Sequence, residues 1–279
     1  MYYFYPKLGK YELLNIRFLG SGLGNQLFPF ARAHCYAKHY EGSVIPPIWK
    51  QFKIGPYLRR ERDKRDYSKY LSTTADRTSW IRKVYLFIKS RKLAESAFVN
   101  AADSRKGNHL IVLQGLSFPE WMVHERNFIK SEIVKTFRWN QETVENDKDF
   151  VAVHVRRGDF LIGKQETSFM FFLNAITSVL ELRPDLSVRV FSDAQSSELE
   201  PLREVCNYEH REASSPVDDL LGMSQGSVLI ASANSTFSWW AGFLGNIPTV
   251  WPEGSTTRKY LPVEHNREVF LKGPESNHI

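Results

Sequence analysis

Cysteine is nearly absent from this sequence: Cys35 and Cys206 are the only two in 279 residues. Neither stands at metal-ligand spacing, so a disulfide framework and a cysteine-built metal site are both excluded as the basis of the fold. A reducing compartment is the expectation. Long apolar runs are missing too, none approaching the roughly 20 residues that a membrane-crossing helix needs. The opening MYYFYPKLGKYELLNIRFLG lacks the basic-then-apolar order of a secretory leader. The chain therefore reads as a cytoplasmic protein with no membrane span. Internal repeats at solenoid periods and low-complexity tracts are also lacking, which removes arrays and disordered tails from consideration.

What is present is an ordinary globular composition, 42% hydrophobic and 24% charged, with an aromatic content of 14%. The net charge of +6 is concentrated: residues 50–92 hold 14 Lys and Arg against 4 Asp and Glu, leaving the remainder at about −4. Such a patch attracts nucleic acid, an anionic membrane or a phosphorylated substrate, or is a solvated helical face; charge alone does not choose.

Along the chain, Asn15–Leu19 reads as a strand, GSGLGNQ (Gly20–Gln26) as a glycine loop, and the following periodic stretch as a helix stopped at Gly42. SVIPPIW (Ser43–Trp49) and HLIVLQG (His109–Gly115) read as further strands, with helices expected around RRERDKRDYSKYL, SWIRKVYLFIKSRKL and EWMVHERNFIKSEIVKTFRW. Asn140–Asp149 is the linker candidate, which divides the chain into domains 1–143 and 144–279. The second half alternates FVAVHV, MFFLNAITSVLELR, SVRVFSD, SSELEPLREVC, VDDLLGMSQ, SVLIASA, STFSWWAGFLG and TVWPE. Strand and helix in alternation mean parallel sheets joined by right-handed crossovers. The expected fold class is α/β.

Three motifs carry chemistry. The glycine loop follows a strand and opens a helix, so its amides suit a phosphate at the positive end of that helix, or simply a tight turn. Its third glycine comes too early for a dinucleotide fingerprint, the next strand ends without an acid, and no Lys-Ser or Lys-Thr pair follows. VAVHVRRGDF delivers His154, Arg156, Arg157 and Asp159 at the carboxyl end of a buried strand, where ligands sit in open α/β sheets. The pleat sends His154 and Arg156 one way and Arg157 the other. One arginine is expected to grip a diphosphate and the other to be held by a carboxylate, Asp159 or another acid nearby; two purely structural ion pairs are the alternative.

The third motif, SANSTFSWWAGFLG, sets Asn234, Ser235 and Thr236 at a helix start after a buried strand, an anion site made of hydroxyls and free amides. Trp239 and Trp240 project about 100° apart, so one is expected in the core and the other beside the ligand. Asp218 and Asp219 begin a short helix, where they answer its dipole or accept from a base, and Asp193 caps the next helix or touches a ribose.

Together GLGNQLFPFA, HVRRGD and SANSTFSWWAG, with QGLSFPEWM as a looser fourth, resemble the α-1,2-fucosyltransferases of glycosyltransferase family 11. The resemblance implies a GT-B architecture: two Rossmann-like domains facing a central cleft, the first on the acceptor side and the second holding GDP-fucose. It implies inverting transfer of L-fucose to the 2-hydroxyl of a galactose-type acceptor, with no metal and no other cofactor. Carried over, Arg156 contacts the diphosphate with Arg157 in support, and His154 and Asp219 lie near the guanosine. Ser235, Thr236, Phe237 and Ser238 surround the phosphates, and Gly22, Gly24, Asn25 and Gln26 close the donor site from the first domain. Glu166, Asp159 and His154 are candidates for the general base, with Glu120 as an outlying one. The short form resembles bacterial enzymes that build O-antigen, lipopolysaccharide or capsule repeats. It implies a galactose-containing or lipid-linked acceptor, no nucleic acid, and a peripheral contact of residues 50–92 with the inner face of the cytoplasmic membrane.

Overall fold

The computed structural model describes residues 1–13, 15–58, 64–73, 80–99, 107–139, 149–157, 167–211, 215–256 and 268–271. The chain forms two compact units, Met1–Arg59 with Lys64–Arg138, and a second that includes Trp139–Ile279. The expected division at 143/144, and all of the expected linker but Asp149, lie outside the described residues.

The first unit runs β1 (Tyr2–Pro6), β2 (Gly9–Leu13), β3 (Ile16–Gly20), α1 (Leu23–His39), β4 (Ser43–Val44), β5 (Gln51–Phe52), α2 (Gly55–Leu58), α3 (Trp80–Lys89), β6 (Arg91–Ala94), α4 (Glu95–Val99), β7 (His109–Leu113) and α5 (Arg126–Thr136). Its main sheet is parallel in the order β4-β1-β7-β6. Phe4, Tyr36, Phe98, Ile111 and Leu113 pack between that sheet and its helices, so part of the aromatic content goes into this core. The hairpin β2–β3 is inserted between β1 and α1 and forms a separate sheet with β5.

Several expectations are corrected here. The strand that feeds the glycine loop, β3, does not belong to the main sheet; that place is taken by β1, whose run of aromatics shows no alternation because such strands are covered on both faces. SVIPPIW contributes only Ser43–Val44, since Pro46 and Pro47 have no N–H to give a ladder. The basic helix ends at Lys89; of its last four expected residues, Ser90 bends the chain and Arg91, Lys92 and Leu93 lie on β6.

The second unit runs β8 (Phe150–Val155), α6 (Phe169–Leu182), β9 (Ser187–Ser192), β10 (Tyr208–Arg211), α7 (Pro216–Met223), β11 (Val228–Ile230), α8 (Thr236–Gly245), β12 (Thr249–Pro252) and β13 (Glu268–Leu271). The sheet is parallel throughout, in the order β10-β9-β8-β11-β12-β13. Counted within the unit this is 3-2-1-4-5-6, the doubly wound order, with the reversal of direction falling between β8 and β11. β8 is buried along its whole length, with Val151, Val153 and Val155 packed against Phe171, Phe172, Ile176, Val188 and Val190. SSELEPLREVC is not an α-helix but two short 3-10 turns, Ser196–Glu198 and Glu200–Glu204. Pro201 supplies no N–H to continue an α ladder there. Strands β10 and β13 were not expected from the pattern.

Candidate active site at a strand reversal

β8 is the first strand of its unit and sits at the reversal, so the crevice beyond its carboxyl end is the place where this topology puts ligands. Arg156 and Arg157 follow directly on Val155. Their backbones are tied to opposite neighbours: the Arg156 amide donates to Ser232 Oγ (2.9 Å), just past β11, and the Arg157 amide to Asp193 Oδ1 (2.8 Å), just past β9. Ser232 also donates to the His154 carbonyl (2.6 Å), and Ser192 donates to the Val155 carbonyl (2.6 Å). Four hydrogen bonds therefore hold the end of β8 from both sides. Each is short, and two of the four are fully buried, which makes the position of the two arginines a property of the sheet.

The Arg157 side chain reaches Glu198 (Nε to Oε1 3.5 Å) and lies over the Phe169 ring at 5.2 Å. Glu198 also accepts from the Gln195 backbone amide (2.8 Å), so the carboxylate that holds this arginine is itself held. Arg156 is half-buried, its backbone tied to the β11 side. Asp159 and Glu166 lie outside the described residues.

His154 is buried, its Nδ1 2.6 Å from Ser238 Oγ and its ring 5.5 Å from that of Phe237. Burial first, and then the charge of Arg156, push its pKa down to about 3. Such an imidazole is neutral near pH 7, with its Nδ1 engaged by the Ser238 hydroxyl.

The start of α8 is built from the SANSTFS segment. Ser235 is its N-cap and accepts from the Ser238 amide at 3.2 Å. Asn234 sits at φ 54°, a left-handed conformation that asparagine tolerates, and its Oδ1 accepts from the amide and hydroxyl of Thr256, both at 2.7 Å. The Ala233 amide donates to Thr167 Oγ1 (2.8 Å). Thr236 and Phe237 are half-buried in the first turn. Trp239 and Trp240 are both core residues, 1% and 0% exposed, with Trp239 stacked on Phe243 at 5.3 Å. The expected division between core and ligand is therefore corrected: a helix lying in the middle of the unit is covered on more than one side.

Asp219 is half-buried on α7, and the neighbouring Asp218 is occupied by the Ser215 cap, accepting from its hydroxyl at 2.7 Å. Asp193 caps no helix; the 3-10 turn after β9 begins on Gln195. Among the described residues no group of three His, Cys, Asp or Glu is placed to hold a metal ion.

The glycine loop belongs to the first unit. Gly22 precedes α1, and the Leu23 amide donates to the buried Tyr67 hydroxyl at 2.9 Å. Gln26, 1% exposed, accepts from Arg17 Nη2 (2.9 Å) and donates to the Ser21 carbonyl (2.6 Å), so its amide braces the loop. Gly24 is buried and Asn25 half-buried in the first turn. Arg32, farther along α1, is fully buried; it pairs with Glu95 (2.9 Å) and donates to the carbonyls of Gln114, Gly115 and Ser117. That fork ties α1 to the segment that follows β7. Ser232, Thr167, Arg17 and Arg32 were not singled out from the sequence. For Arg32 the available signal was an arginine on the apolar face of a helix, which needs anions or carbonyls to be buried.

The comparisons fit this geometry. Residues 116–252 match the model of Glycosyl transferase family 11, a span that contains every site residue of the second unit and none of the glycine loop. No curated protein matches the chain. Among solved structures, POFUT1 in complex with GDP aligns with a TM-score of 0.50 and 13% identity, over 85% of this chain and 97% of that one. POFUT1 in complex with GDP-fucose aligns at 0.47 and 12%, over 93% and 98%. The fucosyltransferase NodZ from Bradyrhizobium aligns at 0.39 and 12%, over 84% and 91%. The fold is thus the mixed α/β GT-B class, and the match to the family 11 model runs from the last part of the first unit through most of the second.

Proposed function

We propose that this protein is a fucosyltransferase that moves L-fucose from GDP-β-L-fucose to the 2-hydroxyl of a terminal galactose-type acceptor, with inversion. The family match and the fold support fucosyl transfer from GDP-fucose; the neighbours' own structures contain GDP and GDP-fucose. The observation that carries the reading is that the end of β8 and the start of α8 are tied together at the β8/β11 reversal: the Ser232 hydroxyl holds the Arg156 amide and the His154 carbonyl, the Ser232 carbonyl accepts from the amide of the N-cap Ser235, and His154 Nδ1 lies 2.6 Å from Ser238 Oγ. Arginine beside a helix N-terminus is the arrangement that binds a diphosphate.

In the proposed reaction the acceptor oxygen attacks the anomeric carbon as the bond to the diphosphate breaks, and negative charge grows on the departing GDP. Arg156 and the α8 amides offset that charge, a preorganised role worth about 3–4 kcal/mol for a single key donor. Arg157, braced by Glu198 and Phe169, positions the strand end. Asp219, Phe237 and His154 form the guanosine side. The general base is sought among Glu166, Asp159 and His154, with Glu120 as an outlying candidate. The reading is metal-independent. One Asp-x-Asp spacing does occur, at Asp147 and Asp149 ahead of β8, so the role of divalent cations is part of the test. The acceptor is proposed to be a galactose of a bacterial surface polysaccharide or O-antigen repeat.

The test is to incubate the protein with GDP-fucose, GDP-mannose or UDP-galactose, with EDTA present, and to measure nucleotide release across a panel of galactosides. Release from GDP-fucose alone, dependent on a galactoside, and an α-1,2 linkage in the product by NMR are expected. Release from another donor, or a different linkage, overturns the assignment.

A further inference from the structure

Helix α3 has two apolar faces, and only one of them is packed. At 100° per residue, Lys83, Leu86 and Phe87 fall on one side. Leu86 is 5% exposed, the Phe87 ring meets that of Tyr5 edge-on at 5.0 Å, and Lys83 Nζ donates to the Tyr5 hydroxyl at 2.7 Å. These contacts seat the helix on the main sheet of the first unit. The opposite side carries Ile81, Val84, Tyr85 and Ile88, at the i, i+3, i+4, i+7 spacing of a single stripe, and they are 62%, 44%, 57% and 74% exposed. A helix docked on one face ordinarily turns charge outward. This one presents a second stripe roughly 100° wide.

The surroundings of the stripe are cationic. Arg82 and Lys89 flank it on the helix, and Arg91 and Lys92 follow on β6, all four exposed. With Lys83, that makes five cations between residues 80 and 94 and not one Asp or Glu.

We infer that this face of α3 rests on an anionic lipid bilayer. Its four apolar side chains enter the boundary between headgroups and acyl chains, while Arg82, Lys89, Arg91 and Lys92 meet lipid phosphates from long stems that remain at the headgroup level. The helix is about 15 Å long and lies in the plane of the surface, since it is far too short to cross. Charge complementarity selects the occupant. A second copy of the chain would set these cations against their own counterparts. A nucleic acid would answer the cations and leave the stripe wet. An anionic bilayer satisfies both. Arg59, Arg60 and Arg62 of the same basic region lie outside the described residues; the inference rests on α3 and is independent of the transfer reaction.

The experiment is flotation of the full chain with large unilamellar vesicles of phosphatidylcholine alone, or with about a third phosphatidylglycerol to supply surface charge. The protein is expected to float with the charged vesicles and stay behind with the neutral ones. Ile88→Asp and Arg82→Glu/Lys89→Glu are each expected to lower the bound fraction about tenfold, since area and charge both contribute. Thermal unfolding by circular dichroism verifies that each variant is folded, and these side chains are exposed. A Tyr85→Trp variant supplies a second reading, a blue-shifted emission on charged vesicles. Equal flotation with both lipids, or undiminished binding of folded Ile88→Asp, overturns the inference. So does a solution dimer that Ile88→Asp dissociates in the absence of lipid binding.

Discussion

His154 Nδ1 and Ser238 Oγ stand 2.6 Å apart in the interior of the second unit, joining the last turn of the central strand to the first turn of the helix across the reversal. Ser238 is at the same time the residue whose amide is capped by Ser235. Ser238→Ala removes the partner of a buried imidazole while leaving the helix cap in place. A loss of roughly 1–3 kcal/mol in denaturant unfolding is expected, together with a fall in kcat/KM as the His154 ring loses its anchor. Unchanged stability would show that the contact contributes nothing.

The two arginines are expected to separate in kinetics. Arg156→Ala lowers kcat by about two to three orders of magnitude with the fold intact, because the charge it offsets arises only as the diphosphate leaves. Arg157→Ala, whose side chain is spent on Glu198 and Phe169, acts through position and costs about tenfold. Steady-state kinetics with GDP-fucose and a galactoside check both. Near-normal turnover of Arg156→Ala is the outcome that sinks the site.

Acid sensitivity carries a sign. The folded state holds His154 neutral down to about pH 3, whereas in the unfolded chain it takes a proton near pH 6.5. Its contribution to stability is complete above about 6.5 and is lost as pH falls from there toward 3, with a slope approaching ~1.4 kcal/mol per pH unit. Glu132, held down to about 2 by hydrogen bonds from His34 and Lys135 despite partial burial, adds a loss of the same sign below about 4.5. Between pH 7 and 5 the histidine term stands alone of the two. Urea unfolding across that range is expected to show falling stability in the native sequence and a flatter profile in His154→Asn.

Two glycines of α8 are expected to respond differently to alanine. A Cβ on Gly245 would run into the backbone carbonyl of Ser224, 2.9 Å from its carbon, and backbone does not yield, so Gly245→Ala costs roughly 2–3 kcal/mol. On Gly242 the Cβ would meet Thr249 Oγ1 at 2.5 Å, a side-chain atom that a change of χ1 moves at the cost of its hydrogen bond to the Ile247 carbonyl. The gain in helix propensity, about 1 kcal/mol, then offsets part of the strain. Thermal unfolding of the two variants, side by side, should rank them in that order.

How much of this was legible beforehand varies with the range of the interaction. Val151, Val153 and Val155 announce a buried strand, and HVRRGD announces two adjacent cations at its end, because hydrophobic runs and neighbouring charges are local signals. The capping run Asn234–Thr236 was equally plain, since capping is decided within four residues, and Ser235 is the member that caps. By contrast, β1 was hidden by an aromatic run without alternation, and the pair of 3-10 turns after β9 by an apparently helical stretch that a single proline breaks.

By itself, then, the sequence determined the α/β class, the order of the second unit's main elements, the likeness to glycosyltransferase family 11 and the residue types at the strand end. Tertiary structure alone decided which of those residues are spent internally. It brought Ser232 to both His154 and Arg156, gave Arg157 to Glu198, turned Gln26 toward Arg17, and buried both tryptophans. The reason is physical: a hydrogen bond between residues 76 or 84 positions apart depends on which strands become neighbours. Strand order is set by the packing of the whole sheet, which no local pattern encodes.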